Sequence, residues 1–174
     1  MSKKILIVAA CLFSLNSIAQ SKQETISSIQ NILAKANGNT DRIKVDTDEI
    51  SFKIENSKFA VMDLNKDLIQ LSNRKIWASG LVEDYNQVYK LSDITSLKDD
   101  GLNHISNVTT VVAVLKNKSG TETILANGIK EDKQISNSMF FCLKTDLVKL
   151  KEAIAHLKAF YFELGNYTLD NKEN

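Results

Sequence analysis

The sequence predicts an α+β fold: an antiparallel sheet or partly open barrel of about six to eight strands, closed by a long C-terminal amphipathic helix, with an additional N-terminal helix. Three observations point there. Leu147, Leu150, Ile154, Leu157, Tyr161 and Leu164 recur in steps of three and four, the spacing of one helical face. From Arg42 onward the apolar residues instead alternate with polar ones, the period of a half-buried strand. The turns between strands fall at Gly, Asn, Asp and Ser, because the 174-residue chain contains no proline.

The chain opens on an address. Met1-Ser2-Lys3-Lys4 is a basic start, Ile5–Phe13 is an unbroken apolar run, and Ser17-Ile18-Ala19 puts small residues at −3 and −1 before Gln20. This pattern predicts a secretory signal peptide over 1–19, a single α+β domain over 20–165, and a polar tail over 166–174. The apolar run is too short for a membrane span, which needs about 18 or more residues. Val8-Ala9-Ala10-Cys11 imitates a lipoprotein cleavage box, but the apolar residues before Cys11 are too few and the pattern continues past it. The expected location is therefore outside the cytoplasm, periplasmic or secreted. Cleavage removes Cys11 and leaves Cys142, so no internal disulfide can form. Cys142 lies in the apolar run Met139–Leu143 and is expected to be a buried, inert thiol.

Along the remaining chain, Ser21 and Glu24 make a capping box for a helix over about 22–36, with Ile26, Ile29 and Leu33 on one face and Asn37-Gly38 as its stop. Ile43 and Val45, then Ile50, Phe52 and Ile54, predict a strand pair around the acidic turn at 46–49. Asn56-Ser57-Lys58 reads as a second turn, into Phe59–Met62. Leu64–Gly80 fits a helix through Leu64, Leu68 and Leu71, and a strand through Ile69 and Leu71. Gln87–Leu91 reads as a strand whose apolar pattern continues through Ile94 and Leu97. Thr109–Leu115, β-branched and apolar, is the central-strand candidate, and 117–120 connects it to Thr121–Ala126. After Asn127-Gly128 the last strand is Met139–Leu143. The final helix follows, with Asp146 in its first turn and Gly165 at its end.

The inventory of reactive groups excludes more than it suggests. The charge is +1, and losing Lys3 and Lys4 with the leader leaves the two signs balanced to within one, which gives no support to nucleic-acid binding or polybasic lipid anchoring. The two histidines, His104 and His156, stand far apart with no ligand-spaced Cys or Glu, so no zinc motif exists. His104 reads as a loop residue and His156 as the solvent side of the last helix. The six glycines are too dispersed for a phosphate loop. Asp63–Asp67 starts like a calcium loop but has Leu68 where Gly is required and Arg74 where Glu is required. The carboxylate pairs Asp46/Asp48, Glu83/Asp84 and Asp99/Asp100 read as solvated turns. No catalytic residue, cofactor or metal is expected. The candidate binding surface is Trp77, Tyr85 and Tyr89, aromatics with a polar handle within a long irregular stretch; the bland alternative is that Trp77 caps the core.

A sheet closed by one amphipathic C-terminal helix resembles the layout of pleckstrin-homology-like domains. The segment Gln87-Val-Tyr-Lys-Leu-Ser-Asp-Ile-Thr-Ser-Leu97 is similar to their strand ending in a hydrophobic turn. Leu150-Lys-Glu-Ala-Ile-Ala-His-Leu-Lys-Ala-Phe160 is similar to the closing helix in small exported bacterial proteins. The N-terminal helix and the lack of a basic headgroup-binding cluster depart from that pattern. The resemblance implies a scaffold for binding, not a reaction. The function expected is thus a non-catalytic binding or interaction module with a protein or small-molecule partner; the alternatives are a carrier of a small apolar ligand within the sheet, or a cryptic enzyme. A dry internal cavity would mark the carrier, a flat aromatic patch the interaction module, and a cleft joining His104 or His156 to a buried carboxylate the enzyme.

Overall fold

The computed structural model describes residues 22–63 and 66–170. The expected signal peptide, 1–19, and Ser21 of the expected capping box lie outside the described residues. Helix α1 covers 22–36. Ten strands follow: β1 Thr40–Val45, β2 Asp48–Asp63, β3 Leu68–Trp77, β4 Val82–Lys90, β5 Ile94–Asp99, β6 Asn103–His104, β7 Val108–Leu115, β8 Gly120–Ala126, β9 Ile129–Ile135 and β10 Asn137–Leu143; helix α2, Leu147–Asp170, ends the chain. The fold is α+β, as expected. Its strands form two antiparallel sheets, ordered β6-β1-β2-β3-β4-β8-β9 and β10-β7-β5, and neither closes into a barrel. Among the described residues no helix is long and apolar enough to cross a membrane.

The final helix packs as its stripe requires. Leu150, Ile154 and Leu157 are fully buried, in one cluster with Ile29 and Leu33 of α1, Ile69 and Leu71 of β3, and Phe140 of β10. Lys35 of α1 reaches Asp146 at 3.0 Å, tying the two helices together where α2 begins. Gly165 does not stop α2, which runs to Asp170: an interior glycine weakens a helix by about 1 kcal/mol but fits its dihedrals. β7 is buried on both faces. Val111, Ala113 and Leu115 join that first cluster, while Val108 joins a second one with Ile43, Phe52, Ile54 and Phe141.

Three expectations are corrected. Asn56-Ser57-Lys58 is no turn but a bulge within the continuous β2, with Asn56 at φ 53° and the register to β3 slipping between Glu55 and Lys58. Side chains of α1 and its C-terminal turn take up the backbone groups the bulge frees: Ser57 N–H donates to Asn37 Oδ1 at 2.9 Å, and Phe59 N–H to Gln30 Oε1 at 2.7 Å. The stretch between Leu71 and Gln87, expected to be irregular, belongs to the hairpin β3–β4, turning at 78–81, and the strand alternative for Leu64–Gly80 holds from Leu68. Finally, β9 went unrecognised because Lys130–Gln134 is charged or polar throughout; it is an exposed edge strand, where charges block unwanted pairing.

Candidate functional site

Alternation along β3 turns Ile69, Leu71, Asn73, Lys75 and Trp77 toward the inner face of the large sheet. Apolar residues fill the first of these positions; a lysine and a tryptophan occupy the last two. Register places Phe52 and Ile54 of β2 beside Trp77 and Lys75, and Glu83 of β4 directly opposite Lys75. Phe141 of β10 faces them from the small sheet, edge-on to Phe52 at 5.7 Å between centroids.

The Lys75 ammonium therefore sits among rings. It lies 4.7 Å from the centroid of Tyr85, 4.9 Å from Phe52, 5.1 Å from Phe141 and 5.7 Å from Trp77, all within cation–π range. It makes no hydrogen bond or ion pair among the described residues. The reason lies in its neighbours. Glu83 Oε2 instead accepts the Trp77 indole N–H at 2.6 Å and the Tyr85 hydroxyl at 2.5 Å. Glu122 accepts from Gln87 and pairs with Lys133 at 2.9 Å. Burial lowers the Lys75 pKa, and the more distant charges of Glu83, Glu122 and Asp41 only partly offset this.

In front of the ammonium is a cavity of about 420 Å3. Phe52, Trp77, Val112 and Phe141 wall it, and the partly exposed Ile50, Leu102 and Met139 rim it. Lys98 and Asp100 also line it.

Asp100 connects the cavity to a buried charge cluster. His104 Nδ1 is 2.9 Å from Asp41 Oδ1, and Nε2 is 2.9 Å from Asp100 Oδ2. Ser106 Oγ donates to Asp41 at 2.9 Å. With a carboxylate on each ring nitrogen, both nitrogens donate and the ring is an imidazolium. Burial works against that charge, but the hydrogen bonds to Asp41 and Asp100 and their charges outweigh it and raise the His104 pKa. His104 is thus a buried residue of β6, not the loop residue expected. It does join a histidine to a buried carboxylate, yet neither ring nitrogen is free to exchange a proton with a molecule in the cavity.

The three aromatics separate. Trp77 and Tyr85 belong to the Lys75 cage, while Tyr89, 2% exposed, lies in the first core cluster and contributes no surface. Trp77 also packs on the second core cluster, so it both caps the core and walls the cavity. Cys142 is buried, its thiol pushed up to about 12 mainly by that burial. His156 is exposed, with the Thr25 hydroxyl 3.4 Å from its Nδ1. Glu83 and Asp84 lie within β4, not at a turn, and Asp84 forms a two-pronged pair with Arg74 at 2.8 and 3.0 Å. Asp67 accepts the Ser92 N–H at 2.8 Å, and no metal-holding cluster of acidic, His or Cys side chains occurs among the described residues. Sequence reasoning missed Lys75, Phe52 and Phe141. The available signal was a lysine in phase with Ile69, Leu71 and Trp77, a charge on a face otherwise destined for burial.

Compared with known proteins, the chain matches no protein-family model, no curated protein and no solved structure.

Proposed function

We propose that this protein is an exported, non-catalytic carrier of a small apolar ligand, held in the cavity between its two sheets. The observation that carries this reading is the cavity itself: about 420 Å3, walled by Phe52, Trp77, Val112 and Phe141, and rimmed by exposed Ile50, Leu102 and Met139. Its size and lining suit small-molecule sites, which usually enclose about 300–1,000 Å3. A concave wall made of the buried Phe52 and Phe141 and the half-buried Trp77 favours a ligand that enters over a partner that docks flat. The leader sequence supports export.

Trp77 is the only tryptophan, so its emission reports on the cavity wall directly. Titration with N-phenyl-1-naphthylamine, a neutral apolar dye, should quench Trp77 and brighten the dye with saturation at one site. Asn137→Phe, an exposed position lining the cavity, should weaken this without loss of secondary structure by circular dichroism. Absence of saturable dye binding to the wild-type protein defeats the proposal.

A further inference from the structure

Charges in the cavity wall say more about what enters it. Lys75 and Lys98 both line it, and neither has an ion pair or hydrogen bond among the described residues. The carboxylates near enough to favour the Lys75 charge are Glu83, Glu122 and Asp41, and each is engaged elsewhere. Glu83 is held by Trp77 and Tyr85, Glu122 by Gln87 and Lys133, Asp41 by His104 and Ser106. Asp100, the one acidic lining residue, shares the His104 imidazolium with Asp41, at 2.9 Å on each ring nitrogen, and so is turned away from Lys75 by that pairing. Lys75 and Lys98 therefore face the cavity with no carboxylate in direct contact among the described residues, and four rings hold Lys75 in place. A half-buried ammonium with neither an ion pair nor a hydrogen bond keeps its donors for a ligand that completes it.

We infer that the ligand is an apolar anion, a carboxylate on an aryl or alkyl body, whose charged end meets Lys75 while its body lies against Phe52, Trp77 and Phe141. This rests on the reading of the cavity as a small-ligand site. Lys98, exposed at the cavity, adds long-range attraction that salt screens. Lys75, shielded by its rings, supplies the charge-assisted hydrogen bond and the discrimination.

The test compares 4-phenylbutanoate with 4-phenylbutanamide, which share a body and differ in charge, by calorimetry and Trp77 emission at neutral pH. The carboxylate should bind roughly 10- to 100-fold tighter, the ratio a charge-assisted hydrogen bond supports. Lys75→Met should reduce that ratio to near one while keeping amide binding, and Lys98→Met should mainly lower affinity at low salt. Equal affinity of the wild-type protein for the two compounds overturns the anion assignment but leaves the carrier reading standing. A preference that survives in Lys75→Met assigns the recognition elsewhere and overturns the role of Lys75. Binding of neither compound, nor of the neutral dye, removes the carrier reading and this inference with it.

Discussion

Leu157→Ala tests the packing on which the architecture depends. Leu157 is fully buried, in one cluster with Ile29 and Leu33 of α1, Phe140 of β10, and Leu150 and Ile154 of its own helix. Two helices and two sheets contribute to that cluster, so the surroundings have little freedom to collapse into the space left by truncation. Buried leucine truncations cost about 2–5 kcal/mol, more where the cavity persists, so the expected loss lies in the upper half of that range. That is a large share of the roughly 5–15 kcal/mol that separates folded from unfolded chains. Lys158 is not the neutral control its place on the helix suggests, since it is half-buried and its ammonium donates to the Ile94 carbonyl. Lys149, exposed on α2, serves instead, and Lys149→Ala should stay within about 0.5 kcal/mol. Urea unfolding followed by Trp77 emission and circular dichroism, at several protein concentrations, gives both values. A Leu157→Ala loss below about 1 kcal/mol, independent of concentration, refutes the claim that this stripe closes the sheet.

Two further outcomes follow from the charges and the leader. The folded pKa of His104 lies above its ordinary 6.5, so its pairing with Asp41 and Asp100 stabilises the fold fully below about pH 6.5 and fades as pH rises through the folded value. His104→Asn should therefore cost on the order of 3 kcal/mol at pH 6, since it leaves the buried Asp41 and the partly buried Asp100 without their shared cation, and the gap to wild type should narrow by pH 9 in urea titrations. A constant gap across that range contradicts the charged cluster. Mass spectrometry of the protein from its native source should show a mature chain beginning at Gln20; an intact Met1 or a lipid on Cys11 rules out the cleavage expected here.

Periodicity made the local elements legible. The three-four stripe of α2 and the β-branched run of β7 each carry their pattern within a few consecutive residues; Leu150, Ile154 and Leu157 of the first and nearly all of the second proved buried. The turn residues Asn127 and Gly128 likewise sit at positive φ, the conformation their chemistry permits. Burial against a core writes a pattern into the chain; lack of burial writes none, and that is why the charged edge strand β9 left no signal.

The cavity was not legible in this way. Lys75 meets Phe141 only because two sheets face each other, and His104 meets Asp41 only because β6 pairs with β1. Cross-strand register and sheet packing set those distances, and neither is encoded in the spacing of neighbouring residues. The acids therefore read as solvated turns and His104 as a loop histidine, and Lys75 drew no reading at all, until the tertiary structure brought these groups together. The sequence by itself determined the α+β class, the helices, the central strand and the poverty of reactive groups. The tertiary structure alone decided which charges would be paired, and it left Lys75 without an ion pair among the described residues, because pairing between distant segments depends on which faces the fold brings together.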